Sequence, residues 1–141
     1  MSEFVSVGQE GTFLDHVGGI EWSREPDRVR TRLTVRPEHV NPNGTTHGGL
    51  LLTLLDFTLG VEVERSLGAG SMGHPITIQL SCSMIGAAAL GETVEGIARV
   101  SSRTRTMTFV TGEIVSGERV LTTASGVFRN PRTAENPPAR G

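Results

Sequence analysis

The most regular hydropathy pattern lies at residues 76–84, where Ile76, Ile78, Leu80, Cys82 and Met84 alternate with Thr77, Gln79, Ser81 and Ser83. A period of two over such a length predicts a long half-buried strand with the first set on one face. Residues 28–35 alternate in the same way and predict a strand whose Arg28, Arg30 and Arg32 face away from the core as a solvated row. Shorter or looser runs predict strands at residues 17–22, 92–102, 106–116 and 119–129, with Ser116-Gly117 as a tight hairpin turn between the last two. Between the two alternating runs the pattern changes. Leucines at 50, 51, 52, 54 and 55 are too dense for a surface helix, so residues 47–67 are expected to form a helix buried on most sides. Glu62, Glu64 and Arg65 mark its emergence into solvent, and the glycines from Gly68 to Gly73 end it. Pro37 and Pro42 hold an irregular loop ahead of it.

One long helix followed by an antiparallel meander, with two strands before it, is an α+β plan in which a curved sheet wraps the helix. Gly96, Ala98, Gly112, Ala124 and Gly126 suit close packing of sheet on helix. Residues 1–130 then make a single domain without internal repeats. Within it residues 1–10 are a mobile arm or a short helix packed on a partner, and the polar, proline-rich residues 131–141 are a disordered tail.

Composition narrows the chemistry. A chain of 141 residues with 36% apolar and 20% charged side chains is one globular domain, and its 18 glycines imply many turns or close approaches. A net charge of −2 gives no bulk attraction to nucleic acid or to an anionic membrane. Every basic side chain apart from histidine is arginine, so Schiff-base chemistry and a phosphate-loop lysine are excluded. The single cysteine, Cys82, alternates with core positions and reads as packing; no disulfide and no zinc cluster can be built, so no metal is expected. The leucine run falls far short of the ~20 residues that span a bilayer, and the amino terminus has no signal pattern, so a cytoplasmic protein is expected.

The candidate chemistry concentrates in residues 41–56, N-P-N-G-T-T-H-G-G-L-L-L-T-L-L-D. Asn43-Gly44 is a turn dipeptide, and Thr45 or Thr46 can cap the following helix. Two glycines in a first helical turn each cost about 1 kcal/mol against alanine, so Gly48 and Gly49 imply a close approach to the backbone. The first amides of a helix lack internal partners and lie at the positive end of its dipole, which makes Gly48 N–H a donor for an oxygen carrying negative charge. Asp56, among Leu54, Leu55 and Phe57, is expected to be paired or functional, because an ionised carboxylate loses hydration there. At about 1.5 Å per residue the two lie roughly 12 Å apart on one helix, too far to share one small group. Antiparallel packing of two copies would bring Gly48 of one to Asp56 of the other, which predicts a two-fold homodimer with two composite sites. His16, His39 and His74 read as surface or loop histidines.

The set Asn41, Gly44, Thr45, His47, Gly48, Gly49 and, eight residues after the first glycine of the pair, Asp56 resembles the hotdog-fold acyl-CoA thioesterases of the phenylacetate-degradation type and is similar to mammalian thioesterase superfamily members. The similarity covers roughly residues 15–130 and includes the stretch from Gly112 through Gly117 to Ala124. It implies hydrolysis of an acyl-CoA thioester with aryl or short-to-medium acyl groups, without a cofactor beyond the coenzyme A of the substrate. Gly48 N–H, helped by Asn41, would hold the thioester carbonyl, a role worth ~3 kcal/mol per donor. Asp56 of the facing subunit would act as base or nucleophile, Thr77 would orient the water, and His47 would brace the Asn41 loop. Gly49 joins the substrate-binding set, and Arg103 and Arg105 are candidates for the coenzyme phosphates. The resemblance also implies homodimers that can pair into tetramers. Two departures stand out: Ile85-Gly86-Ala87 replaces an arginine or aromatic followed by proline, and Thr104-Arg105 replaces a glycine-arginine pair. The alternatives are a non-catalytic acyl-CoA-binding or regulatory protein and, less well matched, a hotdog hydratase or dehydratase.

Overall fold

The computed structural model describes residues 3–132 and contains one long helix wrapped by one seven-stranded antiparallel sheet, the hotdog fold. In chain order the elements are β1 (Val5–Ser6), α1 (Phe13–Val17), β2 (Glu21–Arg24), β3 (Val29–Thr34), a 3-10 turn at Pro37–His39, α2 (Gly48–Leu67), β4 (Ile76–Met84), β5 (Thr93–Arg103), β6 (Met107–Ser116) and β7 (Arg119–Arg129). The strands lie in the order β1-β2-β3-β5-β6-β7-β4, so β4 follows the helix in sequence but forms one edge of the sheet. The first expected strand starts later than its pattern suggested. Gly18 and Gly19 both take positive φ and break the chain after α1, so pairing begins at Glu21. Residues 5–6 pair with β2, which attaches the amino-terminal segment to the sheet. Most of the expected tail lies outside the described residues; Arg132 is still attached, its carbonyl accepting the Met72 N–H. No helix among the described residues is long and apolar enough to cross a membrane.

α2 buries Leu50, Leu51, Leu54, Leu55, Leu59 and Val63 against the concave face of the sheet. This stripe is wide because the sheet curls around it, and it needs small residues opposite. A Cβ on Gly112 would lie 2.7 Å from the Leu59 side chain, and one on Gly126 would lie 3.1 Å from it. At Gly96 the obstacle is polar. The hydroxyls of Thr31 and Thr58 share a buried hydrogen bond of 2.6 Å between β3 and α2, and a side chain at 96 would collide with both. The arginines at and just before β3 face outward as expected, each paired with a carboxylate: Arg28 with Glu25, Arg30 with Glu95 and Arg32 with Glu21. Phe4 lies over Arg30 and Arg32 on that outer side.

Two expectations for the helix are corrected. Glu62 does not mark emergence into solvent but is buried, because the Val29 N–H (2.9 Å) and the Arg65 guanidinium (2.6 Å at its closest) satisfy its oxygens. The hydrogen bond to Glu62 also raises the Arg65 pKa above its usual value. The helix cap is neither Thr45 nor Thr46. Thr45 is bound to Asn41, Thr46 Oγ1 accepts the Ala88 N–H, and the cap is His47, whose Nδ1 accepts the Gly49 N–H at 2.9 Å.

Candidate active site

The loop that leads into α2 is closed by Asn41. Its Oδ1 accepts the N–H groups of Asn43 (3.0 Å) and Thr45 (3.1 Å), and its Nδ2 donates to Thr45 Oγ1 (3.0 Å). Gly44 completes the turn at φ 79°, a conformation side chains disfavour. One Nδ2 hydrogen is left after these bonds. From below, the loop rests on residues 87–92, where Ala88 exchanges backbone and side-chain hydrogen bonds with Thr46. Glu92 fastens that support. It accepts the Ala89 N–H (2.5 Å), the Ser116 hydroxyl (3.0 Å) and Arg119 (2.6 Å), and the Ala89 bond, then Ser116, holds its carboxyl below the usual range.

His39 corrects the surface reading: it sits on a loop but is 2% exposed. Its Nδ1 accepts the Arg36 N–H (3.0 Å), its Nε2 reaches the carbonyls of Val17 (2.7 Å) and Gly18 (3.1 Å), and its own carbonyl accepts the His47 N–H (2.9 Å). Since Nδ1 accepts, the proton is on Nε2. His39 therefore ties α1 to the start of α2. His47, expected to brace the Asn41 loop, instead spends its Nδ1 on the helix, which accounts for the second glycine: a Cβ on Gly49 would sit 3.0 Å from that nitrogen. With Gly49 N–H committed, Gly48 N–H has no acceptor among the described residues. What approaches Gly48 in the protomer is Met84 of β4, whose sulfur would lie 3.0 Å from a Cβ there.

Asp56 faces the side of α2 that the sheet leaves open, so it is half-buried and not enclosed by its leucine neighbours. Thr77 donates to its Oδ1 at 2.7 Å. Strict alternation put Thr77 opposite Leu80 and Cys82. A bulge at Ile78 changes this: Thr77 pairs with the core residue Phe128, while Gln79 pairs with Val127, so Thr77 and Leu80 both face the helix and Ile76 faces outward. Asp56 also lines a cavity of about 390 Å³ with Phe13, Leu14, Leu52, Phe57 and Leu80. Phe57 is steadied by an edge-on contact with Trp22 at 6.4 Å. A second cavity, of about 290 Å³, lies beside His47 and Gly49 and includes His16, Glu38, His39 and Leu50.

The structure thus gathers Asn41, His47, Gly48 and Gly49 at the start of α2 and pairs Asp56 with Thr77 two turns later. It does not bring Arg103 and Arg105 to them. Arg103 is bound to Ser66 at the far end of α2 and to Thr108 on β6, and Arg105 lies exposed in the turn between β5 and β6. Ser66 is ten residues beyond Asp56, about 15 Å along the helix. Cys82 is half-buried against the core, consistent with packing. No cluster of histidine, cysteine and carboxylate side chains among the described residues is arranged for a metal. Phe13, His39 and Met84 were not singled out from sequence as site residues. Only Phe13 carried a signal, as an aromatic side chain in a weakly patterned stretch.

An amide donor without a partner among the described residues can bind a carbonyl oxygen, and a carboxylate held by a hydroxyl beside an apolar cavity can hold a water next to an acyl group. Comparison with known proteins agrees with that chemistry. Residues 43–123 match the thioesterase superfamily. The chain belongs to that superfamily. This thioesterase-superfamily chain is 37% identical over 129 residues to the Pseudomonas aeruginosa protein named "Putative esterase PA0474", covering 91% of this chain and 95% of that one. It is 28% identical over 94 residues to the human acyl-coenzyme A thioesterase 13, covering 67% and 65% respectively. The crystal structure of zebra fish thioesterase superfamily member 2 shares the fold with a TM-score of 0.76 at 22% identity, over 86% of this chain and 88% of that one. Thioester hydrolysis is thus the general class of chemistry for this superfamily member.

Proposed function

We propose that the chain hydrolyses acyl-CoA thioesters with aryl or short-to-medium acyl groups, at two equivalent sites formed across a two-fold dimer. The observation that carries this reading is the 2.7 Å Thr77–Asp56 hydrogen bond at the wall of an apolar cavity, on the face of α2 that the sheet leaves uncovered. On the same side, the edge strand β4 exposes Ile78 and Met84, apolar surface suited to a second copy.

Gly48 N–H and the remaining Asn41 N–H would receive the thioester carbonyl oxygen and stabilise the charge that develops on it. Asp56 of the partner subunit would accept a proton from water through its free oxygen while the water oxygen attacks the carbonyl carbon. The carbon–sulfur bond then breaks, and the coenzyme thiolate leaves and is reprotonated. In the nucleophilic variant the carboxylate attacks first, expels the thiolate and forms an anhydride that water opens. Thr77 fixes which carboxylate oxygen is free. The acyl group would occupy the Asp56 cavity. Arg105, exposed in the turn between β5 and β6, would meet the coenzyme phosphates, while Arg103 holds the neighbouring turn to α2.

The test measures release of coenzyme A from aryl- and alkyl-CoA thioesters by wild type, Asp56→Asn and Gly48→Pro. Proline suits this first helical position, and His47 before it is already extended at φ −63° and ψ 138°, so the substitution removes the donor and keeps the helix, with the flexible Met84 side chain, 3.0 Å from the new Cβ, moving aside. Each variant should lose at least about a hundredfold in kcat. Mixed and re-associated, the two should recover about a quarter of wild-type activity, because half the dimers regain one complete site. Active variants would overturn the residue roles, and no recovery on mixing would overturn the composite site. Acyl-CoA binding without turnover by wild type would return the chain to a binding role.

A further inference from the structure

We infer that Phe13 sets the length of acyl group the site accepts, a reading that rests on the thioesterase function proposed above. α1 is a single turn with Leu14 and Val17 packed against the core and with its end held by His39. Phe13 points the other way and is 67% exposed. A phenyl ring so placed gains little from folding unless something apolar comes to lie on it. The two cavities beside α2 share only two lining residues, Phe13 and Thr53. Phe13 from α1 and Thr53 from α2 therefore form the ridge between the Asp56 cavity and the cavity beside His47. The Thr53 hydroxyl is spent on the Gly49 carbonyl at 2.8 Å, so a hydrocarbon lying across the ridge would strand no donor. The Asp56 side is apolar, with Leu52, Phe57 and Leu80, and the far side offers Val17 and Leu50 beneath its histidines. An acyl chain that enters from Asp56 is stopped by the phenyl ring, and removing the ring would open the second cavity to it.

The experiment compares kcat/KM for lauroyl-CoA and butyryl-CoA in wild type, Phe13→Ala, Phe13→Trp and Phe4→Ala. Phe4 lies on the outer arginines, away from the site, and serves as the control. Phe13→Ala should raise the lauroyl-to-butyryl ratio by at least about tenfold, since each further methylene under apolar cover gains about fourfold. Phe13→Trp should lower the ratio, which keeps the test decisive if the alanine variant folds poorly, and Phe4→Ala should leave it unmoved. An active wild type whose ratio is the same in all four proteins overturns the ridge alone. A wild type inert on every thioester overturns the thioesterase reading and this one with it.

Discussion

Asp56 and Glu62 lie on the same helix, six residues apart, and differ in almost everything that decides a carboxylate's role. Glu62 is buried and accepts from the Val29 N–H and from Nε and Nη2 of Arg65, whose Nη1 donates to the Pro26 carbonyl. Nothing on it is left to bind. Asp56 is half-buried and receives one hydrogen bond, from Thr77, with an apolar cavity beside it. The sheet wraps the side of α2 that carries Glu62 and stops short of the side that carries Asp56. A carboxylate whose oxygens are satisfied within the protomer holds the fold; one left with spare acceptor capacity beside a cavity is available for chemistry.

The comparison breaks most sharply on exchange of the two residues' charges. Asp56→Asn should remove at least about a hundredfold of activity, equal to ~2.7 kcal/mol of transition-state stabilisation, with an unchanged urea midpoint. Glu62→Ala should do the reverse, lowering stability by about 3 kcal/mol because Arg65 and the Val29 N–H lose their acceptor, with activity per folded molecule retained. Equal destabilisation by both variants would show that Asp56 is structural. Thr77→Val sharpens the contrast with a smaller effect. It removes the one donor that Asp56 has among the described residues while keeping shape, and kcat should fall about tenfold with KM little changed.

The smallest effect concerns support rather than chemistry. The hydrogen bonds to Glu92 make its proton bind less tightly in the folded chain than in the unfolded one. The stabilisation is therefore present at neutral pH and is lost as pH falls from the ordinary carboxylate range through the lower folded value. Wild type and Glu92→Gln should differ slightly in melting temperature at neutral pH and converge in acid. A difference that grows in acid would reverse the assignment.

Much of this was legible in the chain. The alternating run gave β4 its length, a looser run gave β7, and the dense leucines gave α2 to within a residue; α2 and β7 bury regular faces, whereas β4 keeps only Leu80 and Cys82 half-buried and exposes Ile76, Ile78 and Met84. The glycine pair and Asp56 were legible because each departs from what a buried helix prefers. Thr77 was placed on the wrong face by its pattern, since one unpaired residue shifts the alternation and no local preference announces it. Thr45 and Thr46 are better caps by type than His47, but Asn41 of the same loop holds Thr45 and the distant Ala88 claims Thr46. Glu62 reads as solvent-facing until the Val29 N–H comes from β3 to join Arg65, three residues on along α2, in satisfying it. α1 went unread because a single turn held by a distant histidine carries no period of its own.

The bulge at Ile78 leaves one residue of β4 unpaired, between Thr77 and Gln79. Deleting the codon for Ile78 would remove the bulge and join Thr77 to Gln79, with their partners Phe128 and Val127 unchanged, so the Thr77 hydroxyl would stay on the helix side with Leu80. A gene for this fold can therefore lose three nucleotides at that position and keep the Thr77–Asp56 pairing, because the residue lost is the unpaired one.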